Sequence, residues 1–360
     1  MKNNFLNKLE ERKTKGILRK LDSFESSIDF FSNDYLGLSK IPVTVPLFGS
    51  TGSRLLSGNS TEALQCEKKI ALFYGSEKAL VYNSGYSLNV GFISCITTRH
   101  DLVLYDEKIH ASIRDGIGLS SAKSFSFKHN NLMDLERQLK KNKSSNVFIL
   151  IESLYSMTGN FSSLLDIYDL SKKYNAHLIV DEAHSIGVFG NQGKGLCYHY
   201  NIHDKVFARI ITFGKAYGLM GAAVLSSQQT IDYLINFSRS FIYTTALPSS
   251  IYTCISNNIH ESKINSLIHK LKENLHYFHE NFKYSLLISD TNSPIQIIQL
   301  SCNKKVSILS KKLITSGIFN KPIFSPTVPK NEECVRICFH AFNDKKEIDT
   351  LIRVLIANCP

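Results

Sequence analysis

Between about residue 50 and residue 250 the chain alternates short β-branched apolar runs with segments of helical periodicity, and that alternation restricts the fold more than any other feature. The runs 79–82, 102–105, Val147–Glu152, His177–Asp181, 207–213 and Ala222–Ser226 read as strands; Thr61–Tyr74, 87–97, 132–140 and 164–174 carry the spacing of amphipathic helices. Such alternation builds an α/β architecture, a mostly parallel sheet covered by helices. After Pro248 the texture changes to a long helical region over 249–283, a strand at 295–300, a helix near 304–316, a strand at 334–339 and an amphipathic end at 345–357. Ahead of the alternation lie a polar helix over 1–25 with Leu6, Leu9 and Ile17 turned inward, a short strand at 28–32 and a turn at 33–38. The expected division is an N-terminal helix and arm (1–45), a large domain (46–250) and a smaller α+β domain (251–360). With 43% of 360 residues hydrophobic, there is enough apolar matter for cores of that size.

Charge and cysteine usage narrow the class. No apolar run reaches the length of a membrane span, and the first residues lack a hydrophobic signal core, so a cytoplasmic protein is expected. The eight cysteines show no close-paired framework, as in a reducing compartment. Cys334 and Cys338 are nearest, but no second pair with ligand spacing lies beside them, and His276, His279 and Glu280 read as a solvated helix face, so no metal site is expected. The net charge of +11 is concentrated in Lys2, Lys8, Arg12, Lys13, Lys15, Arg19 and Lys20. That segment is either a solvated helix or an attractor of anionic partners such as a coenzyme A phosphate or an acidic carrier protein. No zinc-finger or RNA-binding signature accompanies it, so nucleic acid is not an expected partner.

Two strands end in chemistry. The run His177–Asp181 leads into Asp181-Glu182-Ala183-His184, and the run before Thr212 leads into Thr212-Phe213-Gly214-Lys215. Open α/β sheets bind ligands at the carboxyl ends of their strands, so an acid, a histidine and a lysine would meet at one edge. That set suits pyridoxal phosphate: the amine forms a Schiff base, and the acid keeps the ring nitrogen protonated so that the ring takes up electrons. Asn83-Ser84-Gly85-Tyr86 follows another strand and opens a helix, a geometry that offers backbone N–H groups to a phosphate. Gly49 to Asn59, with Arg54 inside it, reads as an active-site loop before Thr61, a possible N-cap. His110 is either a polar residue at a helix start or an imidazole stacked on a planar cofactor; Glu152 and Ser156 follow their strand much as Asp181 and His184 follow theirs.

These segments together resemble the α-oxoamine synthases, pyridoxal-phosphate enzymes of fold type I. The resemblance covers nearly the whole chain: Ser32-Asn33-Asp34-Tyr35-Leu36-Gly37-Leu38-Ser39, Gly49-Ser50-Thr51-Gly52-Ser53-Arg54, Asn83 to Tyr86, Ile109-His110-Ala111-Ser112, Glu152 to Met157, Asp181 to His184, Thr212 to Lys215, Tyr243-Thr244-Thr245 and Ser325-Pro326-Thr327-Val328-Pro329. It implies a large domain with a mostly parallel sheet plus a smaller α+β domain, and a homodimer with shared active sites. It implies decarboxylative condensation of an amino acid, alanine in the member resembled most, with an acyl thioester such as a pimeloyl group on coenzyme A or a carrier protein. Sister activities use glycine or serine with other thioesters, and a non-catalytic subunit is the reading from another class.

The resemblance also implies roles. Lys215 would carry the cofactor and act as base, Asp181 would pair with the ring nitrogen, His184 would bond the ring hydroxyl, His110 would stack on the ring and Ser156 would lie beside it. Gly85, Tyr86 and Thr212 would hold the phosphate, with Thr244 or Thr245 from a neighbouring subunit. Arg336 and Asn33 would meet the amino-acid carboxylate, and Arg19 and Thr327 the acyl substrate or its product. The sequence departs from the pattern in a shortened stretch at 42–48, in Ala63 where histidine is common, and in Thr158 and Asn160 where acids are common.

Overall fold

Val147–Glu152 is buried along its whole length, as a continuous apolar run requires when both faces of a sheet are covered. The structure, a computed structural model, describes residues 10–18, 27–42, 49–142, 144, 146–260, 262–300, 302–325 and 327–358. In chain order the strands are β1 (Ile28–Asp29), β2 (Lys78–Tyr82), β3 (Leu102–Asp106), β4 (Lys123–Phe127), β5 (Val147–Glu152), β6 (His177–Asp181), β7 (Ala208–Thr212), β8 (Ala222–Ser226), β9 (Ile295–Gln299), β10 (Ile318–Phe319), β11 (Pro322–Ile323) and β12 (Cys334–Cys338). The large sheet has the order β2-β8-β7-β6-β5-β3-β4. It is parallel from β4 through β7 and antiparallel on both sides of β8. Successive side chains of its strands go to opposite faces. Leu150, Ile179 and Ile210 pack with Leu88, Phe92 and Ile113; Ile149, Ile151, Leu178 and Val180 pack with Leu135, Leu164 and Ile167.

Local chemistry explains where the elements begin and end, and where the expected bounds shift. The helix Thr61–Tyr74 is capped by the side chain of Ser60, which accepts from the Ala63 N–H, and not by Thr61; Gly75 ends it at φ 65. The N-terminal helix stops short of its expected length. Gly16 adopts φ 65, and the bonds Gly16 N–H to Lys13 O and Ile17 N–H to Arg12 O close a Schellman end. Ile17 therefore lies beyond the helix; Leu6, Leu9 and residues 19–25 lie outside the described residues. The strand expected at 28–32 is cut to Ile28–Asp29, because Asp29 Oδ1 accepts from the N–H groups of Phe31 and Ser32 and turns the chain. The helical region at 249–283 is two helices, Ser249–Asn258 and Ile264–Asn281. Strand β4 and the helix Ala111–Leu119 are additions. The strand is an exposed edge of serine and phenylalanine, and the helix carries two glycines, so neither has a strong apolar period.

The remaining strands form a three-stranded antiparallel sheet, β11-β12-β9, and a parallel pair, β1-β10. The N-terminal segment is thereby sewn to the C-terminal part. Cys338 N–H donates to Phe30 O (2.8 Å) and Ala341 N–H to Tyr35 O (2.7 Å). A shared core continues from Ile211, Ala223 and Val81 of the large sheet through Tyr252 and Phe278 to Ile297, Val335 and Leu351.

Candidate active site

Strand register assembles the site. Glu152 lies opposite Asp181, and Asp181 opposite Ile210, so β5, β6 and β7 end at one edge. Thr212 and Tyr82 both face Ala222 on β8, which brings the turn after β2 to the same level. A cavity of about 410 Å³ opens there, lined by Gly85, His110, Glu152, Asp181, His184, Thr212 and Lys215. A larger one of about 1220 Å³ shares Asn33, His110, His184 and Lys215 with it and extends past Ser156 and Arg336 to Thr327, Lys108 and Glu332.

The carboxyl of Asp181 is buried and held at both oxygens. Oδ1 accepts from Ala183 N–H at 2.9 Å and Oδ2 from Asn89 Nδ2 at 3.0 Å. The same Asn89 amide donates to Ser112 Oγ at 3.0 Å, and Ser112 Oγ lies 2.7 Å from His110 Nδ1. His110 is the N-cap of its helix, accepting from Ser112 N–H, so the helix-start reading of this histidine holds, and its ring also lines the cavity. Burial lowers its pKa, with the Asp181 charge pulling the other way. His184 is buried with Nδ1 2.7 Å from the Tyr35 hydroxyl; burial first, then the Lys215 and Arg336 charges, hold it well below the usual histidine range.

Burial pulls the Lys215 amine down to about 8 against the attraction of Asp181 and Glu152. No hydrogen bond engages that amine among the described residues. Glu152 is pushed up to about 8 by burial and by the charge of Asp181 beside it. Its Oε2 accepts from Ser156 N–H at 3.2 Å.

The turn after β2 has the makings of an anion cradle. Ser84 caps the helix Gly85–Ile96 by accepting from Ser87 N–H, and among the described residues the N–H groups of Gly85 and Tyr86 have no acceptor. A Cβ at Gly85 would lie 2.7 Å from Thr212 Cγ2, so only glycine lets Thr212 close over the turn. Thr212 Oγ1 is itself buried and has no hydrogen-bond partner among the described residues. Free donors at a helix start with a hydroxyl beside them suit a phosphate.

Arg336 on β12 donates through Nε to Ser156 O (2.8 Å) and through a terminal nitrogen to Asn33 Oδ1 (2.8 Å). Thr327 lines the outer cavity, where Lys108 and Glu332 form an ion pair at 3.0 Å. Arg19 and Pro326 lie outside the described residues. Thr244 and Thr245 do not line either cavity of their own chain, although Thr245 O accepts from Asn83 Nδ2 at 2.7 Å. Among the described residues of this chain, none of the glycine loop 49–59 lines these cavities. Arg54 instead forms a two-pronged pair with Glu67 (2.8 and 3.0 Å), whose Oε1 also accepts from Val81 N–H. Tyr35 and Asn89 are functional neighbours without an individual role in the sequence reading. Tyr35 sits in a quoted motif, whereas Asn89 gives no signal beyond being a polar residue inside an apolar helix.

The fold and the site define a member of a known class: the chain belongs to the aminotransferase class I and II family, whose profile matches residues 25–355. The fold is that of fold type I pyridoxal-phosphate-dependent transferases. Within the family the chain is similar to 8-amino-7-oxononanoate synthase of Emericella nidulans, with 38% identity over 96% of this chain and 93% of that one. Among solved structures, 8-amino-7-oxononanoate synthase from Francisella tularensis is 29% identical, covering 92% of this chain and 97% of its own, at a TM-score of 0.76. Serine palmitoyltransferase of Sphingomonas wittichii is 25% identical, covering 99% and 96%, at a TM-score of 0.90.

Proposed function

We propose that this chain is a pyridoxal-phosphate-dependent acyltransferase that joins L-alanine to a pimeloyl thioester, releasing carbon dioxide and the free thiol and giving 8-amino-7-oxononanoate for biotin formation. The observation that carries the reading is the meeting of Lys215, its amine drawn towards neutrality, with the buried carboxyl of Asp181 and the Arg336–Asn33 pair around one cavity. The 38% identity to the Emericella nidulans synthase supports the choice of product.

The residues present fit the cofactor. Lys215 would bear it, Asp181 would face the ring nitrogen, His110 would cover the ring with Ser156 beside it, and His184 would meet the ring hydroxyl. Gly85, Tyr86 and Thr212 would hold the phosphate; the unpartnered Thr212 hydroxyl and the free N–H groups motivate that assignment. When bound, pyridoxal phosphate supplies an electron sink for charge released at the amino-acid α-carbon.

The rest falls to the protein. Arg336, oriented by Asn33 and Ser156, would hold the amino-acid carboxylate, a task for which a guanidinium fork is suited. Lys215, once free and neutral, would take the α-proton and later return one; an amine near pKa 8 is matched to that exchange at working pH. Thr327 and Arg19 would face the acyl donor, which arrives on coenzyme A or a carrier protein. Two copies would share their active sites, each lending Thr244 or Thr245 to the other; the position of Thr245 beside Asn83, yet outside its own cavity, motivates this. The reaction would take place in the cytoplasm; among the described residues no helix is long and apolar enough to cross a membrane.

Thiol release from the cofactor-loaded protein, measured with a panel of amino acids and acyl thioesters, is the test. Alanine with a pimeloyl thioester is expected to be turned over fastest. Faster release with serine and a palmitoyl thioester, or with glycine and an acetyl or succinyl thioester, would replace this reading with that sister activity.

A further inference from the structure

Tyr35 takes no part in the proposed chemistry, yet its side chain is fully buried and its hydroxyl lies between His184 and Asn33. It lies 2.7 Å from His184 Nδ1 and 3.3 Å from Asn33 Oδ1, the same oxygen that accepts from the Arg336 guanidinium at 2.8 Å. His184 lines both cavities, and its Nε2 has no partner among the described residues.

A neutral imidazole has one N–H and one lone pair, and what binds one nitrogen decides what the other offers. Two wirings are open to this chain of groups. In the first, Tyr35 donates to Nδ1 and Nε2–H faces the cavity. In the second, Nδ1–H donates to Tyr35, whose proton turns to Asn33, and Nε2 faces the cavity as a bare lone pair. The distances favour the first: 2.7 Å is the length of a strong O–H donor bond, while 3.3 Å to Asn33 is long for one. Occupancy favours it as well, because Asn33 Oδ1 already accepts from Arg336 at 2.8 Å. A fixed positive charge beside the phenol oxygen favours lone pairs on that side and turns the O–H away, towards His184. Both groups keep the protonation this wiring needs: burial pushes the Tyr35 phenol well above its usual range and holds His184 well below its own.

We infer that Tyr35 is a positioning residue that fixes His184 as the Nε2–H tautomer, so that the imidazole presents a hydrogen-bond donor to the cavity. The ligand atom it suits is an oxygen bearing negative charge, which under the proposed function is the phenolic oxygen of the cofactor ring; only that last identification rests on the functional reading.

The test starts with the protein free of cofactor, labelled with ¹⁵N-histidine, where two-bond proton–nitrogen correlations distinguish the tautomers. Wild type is expected to report His184 as Nε2–H, and Tyr35→Phe to lose that preference. A wild-type spectrum of the Nδ1–H form, or an unchanged pattern in Tyr35→Phe, overturns the inference. The wild-type spectrum alone decides the first point if the variant does not fold. In the loaded enzyme, Tyr35→Phe should lower kcat about tenfold, as for one lost hydrogen bond to a charged group, and leave the alanine KM within about twofold. A loss confined to KM would also overturn it, since that would assign Tyr35 to Arg336 alone. If pyridoxal phosphate gives no absorbance band with wild type, the functional reading fails while the tautomer result stands.

Discussion

The inner end of the cavity and its mouth are built on opposite terms. Inside, Asp181 and His184 sit on or just beyond a central strand, are buried and are each held by hydrogen bonds of 3.0 Å or less to residues distant in the chain. At the mouth, Lys108 and Glu332 meet at 3.0 Å with about a third of each side chain exposed, and Thr327 comes from a loop. Charges behave differently in the two places. In the interior burial, reinforced by a neighbouring carboxyl, forces a carboxyl towards neutrality, as at Glu152 beside Asp181; at the surface solvent screens a pair, which contributes little. Chemistry should therefore be intolerant of change inside and tolerant at the rim.

The comparison breaks most directly at Lys215. Lys215→Ala should abolish turnover and borohydride-fixed cofactor; a reduced adduct on another lysine would remove Lys215 from its role. Asp181→Asn comes next. Alanine α-hydrogen exchange in deuterated water should fall by roughly a hundredfold, about 2.7 kcal/mol of barrier, and near wild-type exchange by NMR would refute a charged partner at the ring nitrogen. The same substitution sharpens the electrostatics. Asp181 favours the charged form of Lys215, whose amine becomes neutral as pH rises through about 8. Amine labelling of the cofactor-free protein should accordingly rise through that pH in wild type, with the midpoint displaced downward in Asp181→Asn; an upward displacement would contradict the attraction between Asp181 and the amine. Arg336→Lys should weaken alanine binding by about tenfold, since an ammonium cannot reproduce the guanidinium fork, without loss of cofactor; spectral titration with alanine measures it. The smallest effect belongs to the rim: Lys108→Ala should change the acyl-donor KM by no more than about threefold, an effect that added salt erases. A larger change, insensitive to salt, would show that the mouth is as exacting as the interior.

The two ends also differed in how much the sequence revealed. Strands Val147–Glu152, His177–Asp181 and Ala222–Ser226 have the expected bounds, because β-branched runs covered on both faces leave no other option. The residues that end them were legible for the same reason: chemistry at a strand end has a sequence address. The edge strand Lys123–Phe127, mostly exposed, has no apolar run to read. The cap at Ser60 instead of Thr61 turns on one residue of chain direction. The pairing of Arg54 was not legible, because its partner Glu67 is hidden in a helix that reads simply as amphipathic. The contacts of Asn89 with Asp181 and of Tyr35 with His184 span 92 and 149 residues; no local pattern encodes such pairs.

The stitching of the first strand to the last third of the chain bears on how such an enzyme is inherited and rebuilt. Phe30 with Cys338, Asn33 with Arg336 and Tyr35 with Ala341 are joined pairwise, so two stretches about 300 residues apart together make one wall of the cavity. A chimaera between relatives made by a single crossover in the middle would separate every one of these pairs, however well each half folds. Two crossovers that move only the central sheet would keep all three and exchange the cofactor machinery as a cassette. Recombination libraries of this family should therefore be rich in survivors of the second kind and poor in the first.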